Sequence, residues 1–479
     1  MGEVQKIEHQ VQTPTIVIAG ASGYIGRNLI KELVNDASII ALSRSSSKQK
    51  PGEKVTWRSC DLFSMVEIEE SLSGADYAVY LVHSMLPSAR LTQGNFEDMD
   101  LILADNFAQA AQKNEIKQIV YLSGLIPETD HLSRHLRSRL EVEKVLSSYG
   151  VPVTTLRAGL IVGPQGSSFP ILVKLVKRLP VMILPKWTNT LTHPIALSDV
   201  LIALKQCIGN QSVYNKIIDV GGPEVMTYKE MMLRTAKSLG KDLHVWSIPL
   251  ITPNLSRLWV SLTTNTPKNM VYPLIESLIH PMTAQPERMV EGISYGQTPF
   301  LEAAVSAIEI EDNQMKEQRK KKANAKGSLD LRAPREHNVR SVQRLILPEG
   351  KNAIWVALYY VEWLSKFLKP IIKAEIDEEY NCTLSTILSK EPMMVLSYSK
   401  ERSTPDRALF YISGGKLAIT KGTHRGRLEF RHIPGTNECL AAIHEYVPSL
   451  PWFIYQFTQA KVHLWVMNRF KKRLKHLSE

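Results

Sequence analysis

The sequence lacks the features that mark secreted, zinc-binding or membrane-spanning chains. Its 479 residues include four widely separated cysteines, Cys60, Cys207, Cys382 and Cys439, whose spacing suggests neither a disulfide framework nor a zinc site. The polar N-terminus has no signal-peptide core, and no uncharged apolar stretch reaches the roughly 18 residues of a spanning helix. Together these absences favour a cytoplasmic protein, and the cysteine spacing predicts no metal site.

The charge is unbalanced towards the basic side. A net charge of +11 suits nucleic acid, an anionic membrane surface or an anionic ligand, although a solvated face explains it equally well. Two basic clusters stand out, RKKKANAK at 319–326 and MNRFKKRLKHL near the C-terminus. We expect the first to be a solvated linker rather than a nucleic-acid site. The second leaves peripheral membrane contact open.

The first third of the chain alternates short apolar runs with helix-like segments. This order predicts an α/β fold with a doubly wound parallel sheet and helices on both faces. The predicted strands lie at 15–19, 38–42, 74–83, 116–124 and 151–163.

Composition divides the chain into three regions. Residues 13–308 are predicted to form the dinucleotide-binding (Rossmann-type) domain, with substrate-side insertions over about 164–308. Residues 309–338 are charged and suggest a linker or an exposed helix. Residues 339–479 predict a separate α+β domain, with strands around a long C-terminal helix. Such a helix-grip arrangement can enclose an apolar cavity.

Three glycines follow the first predicted strand, in the stretch Gly20-Ala21-Ser22-Gly23-Tyr24-Ile25-Gly26. Gly20 permits the tight turn, Gly23 lets the backbone approach a pyrophosphate, and Gly26 lets the helix pack on the strand. The helix N-terminus supplies N–H groups for the phosphates. This strand–turn–helix context predicts binding of NAD(P).

The end of the second strand predicts which coenzyme binds. The stretch from Ser43 and Arg44 to Lys48 contains no acid to hold the ribose hydroxyls of NAD(H), and Arg44 can bond a 2′-phosphate. NADP(H) is therefore favoured and NAD(H) remains open. Asp61, after a third short strand, is a candidate for the adenine amino group, although an ordinary loop acid is an equally good explanation.

These motifs together resemble the short-chain dehydrogenase/reductase superfamily, particularly its atypical NmrA-like and complex-I-subunit-like branch. The match spans about residues 13–310, and the C-terminal region resembles an uncharacterised domain appended to such proteins in bacteria. The motifs that carry it are the glycine turn, "CDL" at 60–62, "YLSG" at 121–124, "VTTLRAGLIVGP" at 153–164 and "HPIALSDV" at 193–200. The resemblance implies cofactor contacts from Ser22, Tyr24, Ile25, Leu62, Val82, His83 and Ser123.

Active members of this superfamily carry a tyrosine and a lysine four residues apart on the helix after "YLSG". The resemblance places His135 and Arg139 at these positions, and the nearby Tyr149 is too close to the helix end. In one interpretation His135 is a replacement acid/base, with its pKa depressed by Arg139. In the other, both belong to a surface ion network with Glu143, and the site binds cofactor without tyrosine-type catalysis.

Other polar residues have weaker functional assignments. Arg157 could lie near the substrate or form a structural ion pair, while His193 and Asp199 match a family element that usually fixes a loop. His424, His432 and His444 show no ligand spacing.

The sequence therefore predicts an NAD(P)-binding, oxidoreductase-like protein that acts on an unidentified small molecule. The rival hypothesis is a non-catalytic dinucleotide sensor or assembly factor, perhaps peripheral on a membrane. The oligomeric state is left open.

Overall fold

The computed structural model consists of two compact units. It describes residues 13–44, 52–83, 91–129, 131–166, 168–178, 181–248, 272, 275–324, 339–386, 389, 391–420 and 426–479. The first unit comprises residues 1–83 and 103–328, and the second comprises residues 84–102 and 329–479.

The strands and helices are numbered in chain order. The strands are β1 (Thr15–Ala19), β2 (Ser38–Ser43), β3 (Val55–Ser59), β4 (Tyr77–Tyr80), β5 (Leu91–Gln93), β6 (Gln118–Gly124), β7 (Val153–Ala158), β8 (Ile161–Val162), β9 (Val181–Pro185), β10 (Leu191–Thr192), β11 (Ile195–Ala196), β12 (Ile217–Val220), β13 (Met226–Thr227), β14 (His244–Ile248), β15 (Val339–Ile346), β16 (Ile372–Ile376), β17 (Cys382–Thr386), β18 (Met394–Tyr398), β19 (Arg407–Gly414), β20 (Arg427–His432) and β21 (Glu438–Tyr446). The helices are α1 (Tyr24–Leu33), α2 (Met65–Leu72), α3 (Phe96–Lys113), α4 (Arg134–Leu146), α5 (Phe169–Arg178), α6 (Leu197–Cys207), α7 (Tyr228–Ser238), α8 (Phe300–Asn324), α9 (Ala353–Phe367), α10 (Trp452–Phe457) and α11 (Gln459–Ser478).

A seven-stranded sheet organises the first unit, in the order β12-β7-β6-β4-β1-β2-β3. All six neighbouring pairs run parallel. Four of the five residues of β1 are fully buried, as expected for a parallel strand with helices on both faces. The predicted doubly wound α/β fold is confirmed. Its carboxyl edge collects the ends of β1, β2, β4, β6 and β7, where such folds bind ligands.

The second unit contains an eight-stranded mixed sheet, in the order β16-β17-β18-β19-β20-β21-β15-β5. Helices α9 and α11 contribute Val356, Tyr360 and Phe470 to a core that also contains Phe410 and Phe430 from the sheet. This arrangement confirms the α+β class.

The structure groups the segment Ser84–Ile102 with the second unit, whereas the sequence interpretation had left it in the first. The reason is backbone pairing, because β5 adds to the sheet as a parallel neighbour of β15. The Asp98 carboxylate also accepts a hydrogen bond from Arg344 Nε at 2.8 Å.

The charged segment after residue 308 is helical over most of its described part. Helix α8 runs to Asn324, and its first turns bury Ala303, Ala304 and Ala307. This favours the exposed-helix interpretation over a plain linker as far as residue 324. No helix within the described ranges is both long enough and apolar enough to cross a membrane.

Candidate cofactor and active site

The glycine turn between β1 and α1 has the geometry that the sequence predicts. Gly20 adopts a left-handed φ of +85°, and the Gly23 N–H closes the turn on the Gly20 carbonyl at 2.9 Å. A Cβ at Gly26 would overlap the Gly20 carbonyl and lie 2.7 Å from the Ala21 Cα. The first glycine therefore serves the turn and the third serves close helix–strand packing.

The N-terminus of α1 is suited to an anion. Gly23 is its N-cap and offers no side-chain acceptor to the first N–H groups, and the first turn contains no acid. Uncapped N–H groups and the helix dipole together favour a phosphate at this position. The backbone around Ser22, Gly23 and Ile25 therefore fits the pyrophosphate of a dinucleotide.

Arg44, the residue on which the coenzyme prediction rests, directly follows β2. Ser43 ends β2, and the Arg44 side chain after it is exposed. Residues 45–48, the rest of the acid-free stretch, lie outside the described residues. Asp61 accepts a hydrogen bond from the Phe63 N–H at 3.2 Å, so one of its oxygens stabilises the loop. The contact of Asp61 with the adenine amino group stays a prediction.

The loop after β3 depends on a residue that the sequence did not single out. Asn106 on α3 is fully buried and donates to the Leu62 carbonyl at 3.0 Å and the Phe63 carbonyl at 3.3 Å. It therefore holds Leu62, a predicted cofactor contact, in place. An asparagine within the apolar pattern of α3 is the signal that could have identified it.

Two buried hydroxyls at predicted cofactor positions have no hydrogen-bond partner among the described residues. They belong to Ser123, near the end of β6, and to Tyr24, whose ring packs against Gly163. Burial, followed by the negative charge of Glu311, raises the Tyr24 pKa. An unpartnered Ser123 hydroxyl near the carboxyl edge fits a site that a polar ligand completes, because buried hydroxyls are normally bonded.

Two imidazoles and a guanidinium interact electrostatically at this edge. Burial, then Arg139 and then His83, lowers the pKa of His135 well below its usual value. Burial of the imidazole and then the charge of Arg139 lower the His83 pKa to about 3, although His83 as a residue is exposed. The predicted depression by Arg139 is thus present, and burial contributes more. Both imidazoles are neutral at neutral pH. Val82 and His83 lie two and three residues beyond the end of β4. The next residue, Ser84, lies outside the described residues.

Helix α4 positions the cluster. Its N-cap is Ser133, whose hydroxyl accepts from the Leu136 N–H at 3.3 Å. His135 and Arg139 follow one turn apart on one face. Arg139 also reaches the hydroxyl of the buried Tyr121 on β6, at 3.5 Å.

The surface network proposed for Glu143 is wrong. Glu143 is only 6% exposed, and Arg157 on β7 bonds both of its oxygens, at 3.1 Å from Nε and 2.8 Å from Nη2. Burial raises the Glu143 pKa and Arg157 opposes the rise. Arg157 therefore forms the structural ion pair that was the alternative to a place near the substrate, because the inward face of α4 meets the sheet at this point.

His193 and Asp199 make hydrogen bonds that hold neighbouring loops in place, as their match to the family element implies. His193 Nε2 lies 2.8 Å from the Gly222 carbonyl oxygen, and the Ala284 N–H donates to Nδ1 at 3.4 Å. Asp199 accepts the N–H and the hydroxyl of Thr298, both at 3.0 Å.

The C-terminal histidines have separate partners, and His424 lies outside the described residues. His432 contacts Asp406 and the Thr436 carbonyl, while the fully buried His444 contacts Glu429. Within the described ranges no group of three potential metal ligands occurs. All four cysteines are buried free thiols.

The second unit has a cavity of about 60 Å³. Its lining is mainly apolar, as with Val339, Met394 and Ile443. Ser341 and His463 add polar groups to the wall, with their side chains 3.1 Å apart.

The fold and the glycine turn define an NAD(P)-binding α/β protein, and comparisons with known proteins agree. Residues 20–171 match the family model described as NAD(P)H-binding. Auxiliary protein GraX of Staphylococcus aureus is 31% identical over 192 residues, 38% of this chain and 58% of GraX. Divinyl chlorophyllide a 8-vinyl-reductase of Arabidopsis thaliana is 24% identical over 255 residues, 49% of this chain and 60% of the reductase.

A solved structure shows the same fold. The NADPH complex of the quinone oxidoreductase QOR2 from Escherichia coli aligns with a TM-score of 0.50 and 18% identity, covering 60% of this chain and 98% of its own. The chain spans less than two thirds of the length of these curated relatives. Residues 20–171 therefore carry an NAD(P)H-binding domain, and these matches support the resemblance of the N-terminal region to atypical, NmrA-like short-chain dehydrogenase/reductases.

Proposed function

We propose that the chain binds NADP(H) in preference to NAD(H). The supporting observation is Arg44, exposed one residue beyond the end of β2, in a stretch from 42 to 48 without an acid. A guanidinium can make paired, charge-assisted hydrogen bonds with a 2′-phosphate. The glycine turn and the uncapped α1 N-terminus would hold the pyrophosphate in either coenzyme.

Replacing Arg44 tests this preference. We expect Arg44→Asp to weaken NADPH binding about 10- to 100-fold, because a charge-assisted bond is lost and a like charge is added. NADH binding should stay within about twofold or improve, since an acid suits a free ribose. Calorimetry with both coenzymes measures the change. An equal loss for both would contradict a 2′-phosphate role, and Lys54→Asp is a matched surface control.

We propose further that the bound coenzyme reduces a conjugated acceptor, such as an enone or a quinone-like ring. The observation that carries this proposal is the Arg139 guanidinium beside two neutral imidazoles at the carboxyl edge. Reduction of a simple ketone yields a strongly basic alkoxide, which needs a nearby acid. Neutral imidazoles are poor acids, so this cluster suits an oxyanion that a fixed cation stabilises without proton transfer.

In this mechanism the chain's residues would stabilise a negative charge rather than transfer a proton. Bound NADPH would supply a hydride to the electron-poor carbon, and the displaced π-electron pair would move to the acceptor oxygen. Arg139 would stabilise that oxygen, with the His135 N–H as a hydrogen-bond donor, and water would supply the final proton. The relative named a vinyl reductase makes alkene reduction a reasonable class to test.

Steady-state kinetics on a panel of quinones and enones test this reaction. At saturating NADPH, we expect Arg139→Leu to lower kcat/KM for the acceptor about 100-fold or more, with Arg139→Lys retaining part of the rate. Because His135 stays neutral, the wild-type rate should be level between about pH 6 and 8. A rate that falls as pH rises through about 6.5 would instead identify a protonated imidazole as the acid.

A second candidate is a non-catalytic dinucleotide sensor or auxiliary protein. The absence of a tyrosine–lysine pair at His135 and Arg139 favours it, and one relative is named an auxiliary protein. Tight NADPH binding without oxidation by any acceptor in the panel would support this role and contradict the reductase.

A further inference from the structure

Large apolar side chains project from the last two helices of the second unit. They form what we call the C-terminal apolar patch, whose members have exposed fractions of 45–72%. They are Phe453, Ile454 and Phe457 on α10, and Val462 and Trp465 on α11.

The patch results from the amphipathic pattern of these helices. Helix α11 turns Val466, Phe470 and Leu474 into the core, whereas Val462 and Trp465 are 55% and 45% exposed. The rings of Phe453 and Phe457 lie 5.4 Å apart. Exposed apolar groups of this size grouped on one surface usually mark an interaction site.

Cations are interleaved with the patch. The Lys461 ammonium lies over the Phe457 ring at 5.3 Å, and Arg469 lies over the Trp465 ring at 6.0 Å. Residues 447–478 contain six Lys or Arg and no Asp or Glu, and all six are exposed. The following residue, Glu479, contacts Lys475 at 3.6 Å. The strip as a whole is strongly positive.

We propose that this patch docks the protein on the surface of an anionic lipid bilayer. Aromatic and aliphatic side chains would enter the headgroup–acyl boundary, while the surrounding Lys and Arg would contact lipid phosphates. Charge complementarity selects this occupant, because an apolar protein partner would not require six cations and no acid around the contact. The association is peripheral, since no helix among the described residues can span a bilayer.

Vesicle co-sedimentation of the full chain tests the proposal. We expect binding to vesicles of equal parts phosphatidylglycerol and phosphatidylcholine, weak binding to phosphatidylcholine alone, and release near 1 M salt, where the screening length is about 3 Å. Phe453→Ser with Phe457→Ser should lower the bound fraction about tenfold, and so should Lys471→Glu with Lys472→Glu.

Ile419→Ser is the matched control, because Ile419 is 46% exposed in the same unit and lies outside the patch. Its binding should equal that of the wild type, and circular dichroism establishes that each variant is folded. Absence of binding to anionic vesicles at low salt would overturn the proposal. So would an equal loss in Ile419→Ser, or a finding by ultracentrifugation that the Phe453/Phe457 variant only converts a dimer to a monomer.

Discussion

Gly26→Ala should abolish detectable NADPH binding and destabilise the first unit. The new methyl group would overlap the Gly20 carbonyl and sit 2.7 Å from the Ala21 Cα, and both contacts are backbone atoms that no rotamer change can move. Helix α1 would have to shift away from β1, and its N–H groups would no longer converge on the phosphate position. Overpacking of this kind costs about 3 kcal/mol.

Calorimetry with NADPH and urea denaturation measure the two effects. Gly52→Ala is the matched control, because a Cβ there would meet only the Val55 side chain, at an ordinary 3.7 Å. Its stability should change by less than about 0.5 kcal/mol. Wild-type affinity in a folded Gly26→Ala variant would show that the α1 N-terminus does not hold the coenzyme.

Arg157→Met should lower the free energy of unfolding by about 3–5 kcal/mol at neutral pH. The substitution leaves the Glu143 carboxylate buried without its bidentate partner, and it also removes a positive charge that Asp219 senses. Adding Glu143→Leu to Arg157→Met should recover part of the loss, because the unpaired charge is then removed. Urea denaturation of both variants measures the difference.

The loss in Arg157→Met should depend on pH. Burial already raises the Glu143 pKa in the folded state, and removing Arg157 raises it further. Above the unfolded pKa, the folded variant keeps a proton that the unfolded chain releases, so its stability falls as pH rises. The gap from the wild type should therefore narrow towards about pH 5 and widen by about pH 8.

An exposed ion pair provides the contrast. Lys113→Met removes the partner of Glu69 from a pair whose lysine is 65% exposed, and it should cost no more than about 1 kcal/mol. If Arg157→Met cost equally little, the buried pair would not stabilise the fold.

The elements predicted best are those with local signals. The strand, turn and helix from Thr15 to Leu33 follow from an apolar run, three spaced glycines and an amphipathic pattern. Strands β16 and β17 have weak local signals, because they are short, mostly half-exposed or exposed, and formed by antiparallel pairing with each other. The link between β5 and β15 joins residues about 250 positions apart, which no local pattern indicates.

The candidate site, too, has features that local spacing predicts and features that depend on distant contacts. Spacing on α4 placed His135 and Arg139 on one face, but it could not show that Glu143 turns inward to Arg157. Nor could it show that burial outweighs Arg139 in lowering the His135 pKa. Both outcomes depend on what packs against the helix.

The sequence alone determined the dinucleotide turn, because glycine spacing, helix capping and backbone approach are properties of consecutive residues. It also determined the basic, acid-free C-terminal strip. Only the tertiary structure decided which charges pair, which imidazoles lose their protons and which segment joins the second sheet. Desolvation and ion pairing depend on neighbours that are distant along the chain and become contacts only when it folds.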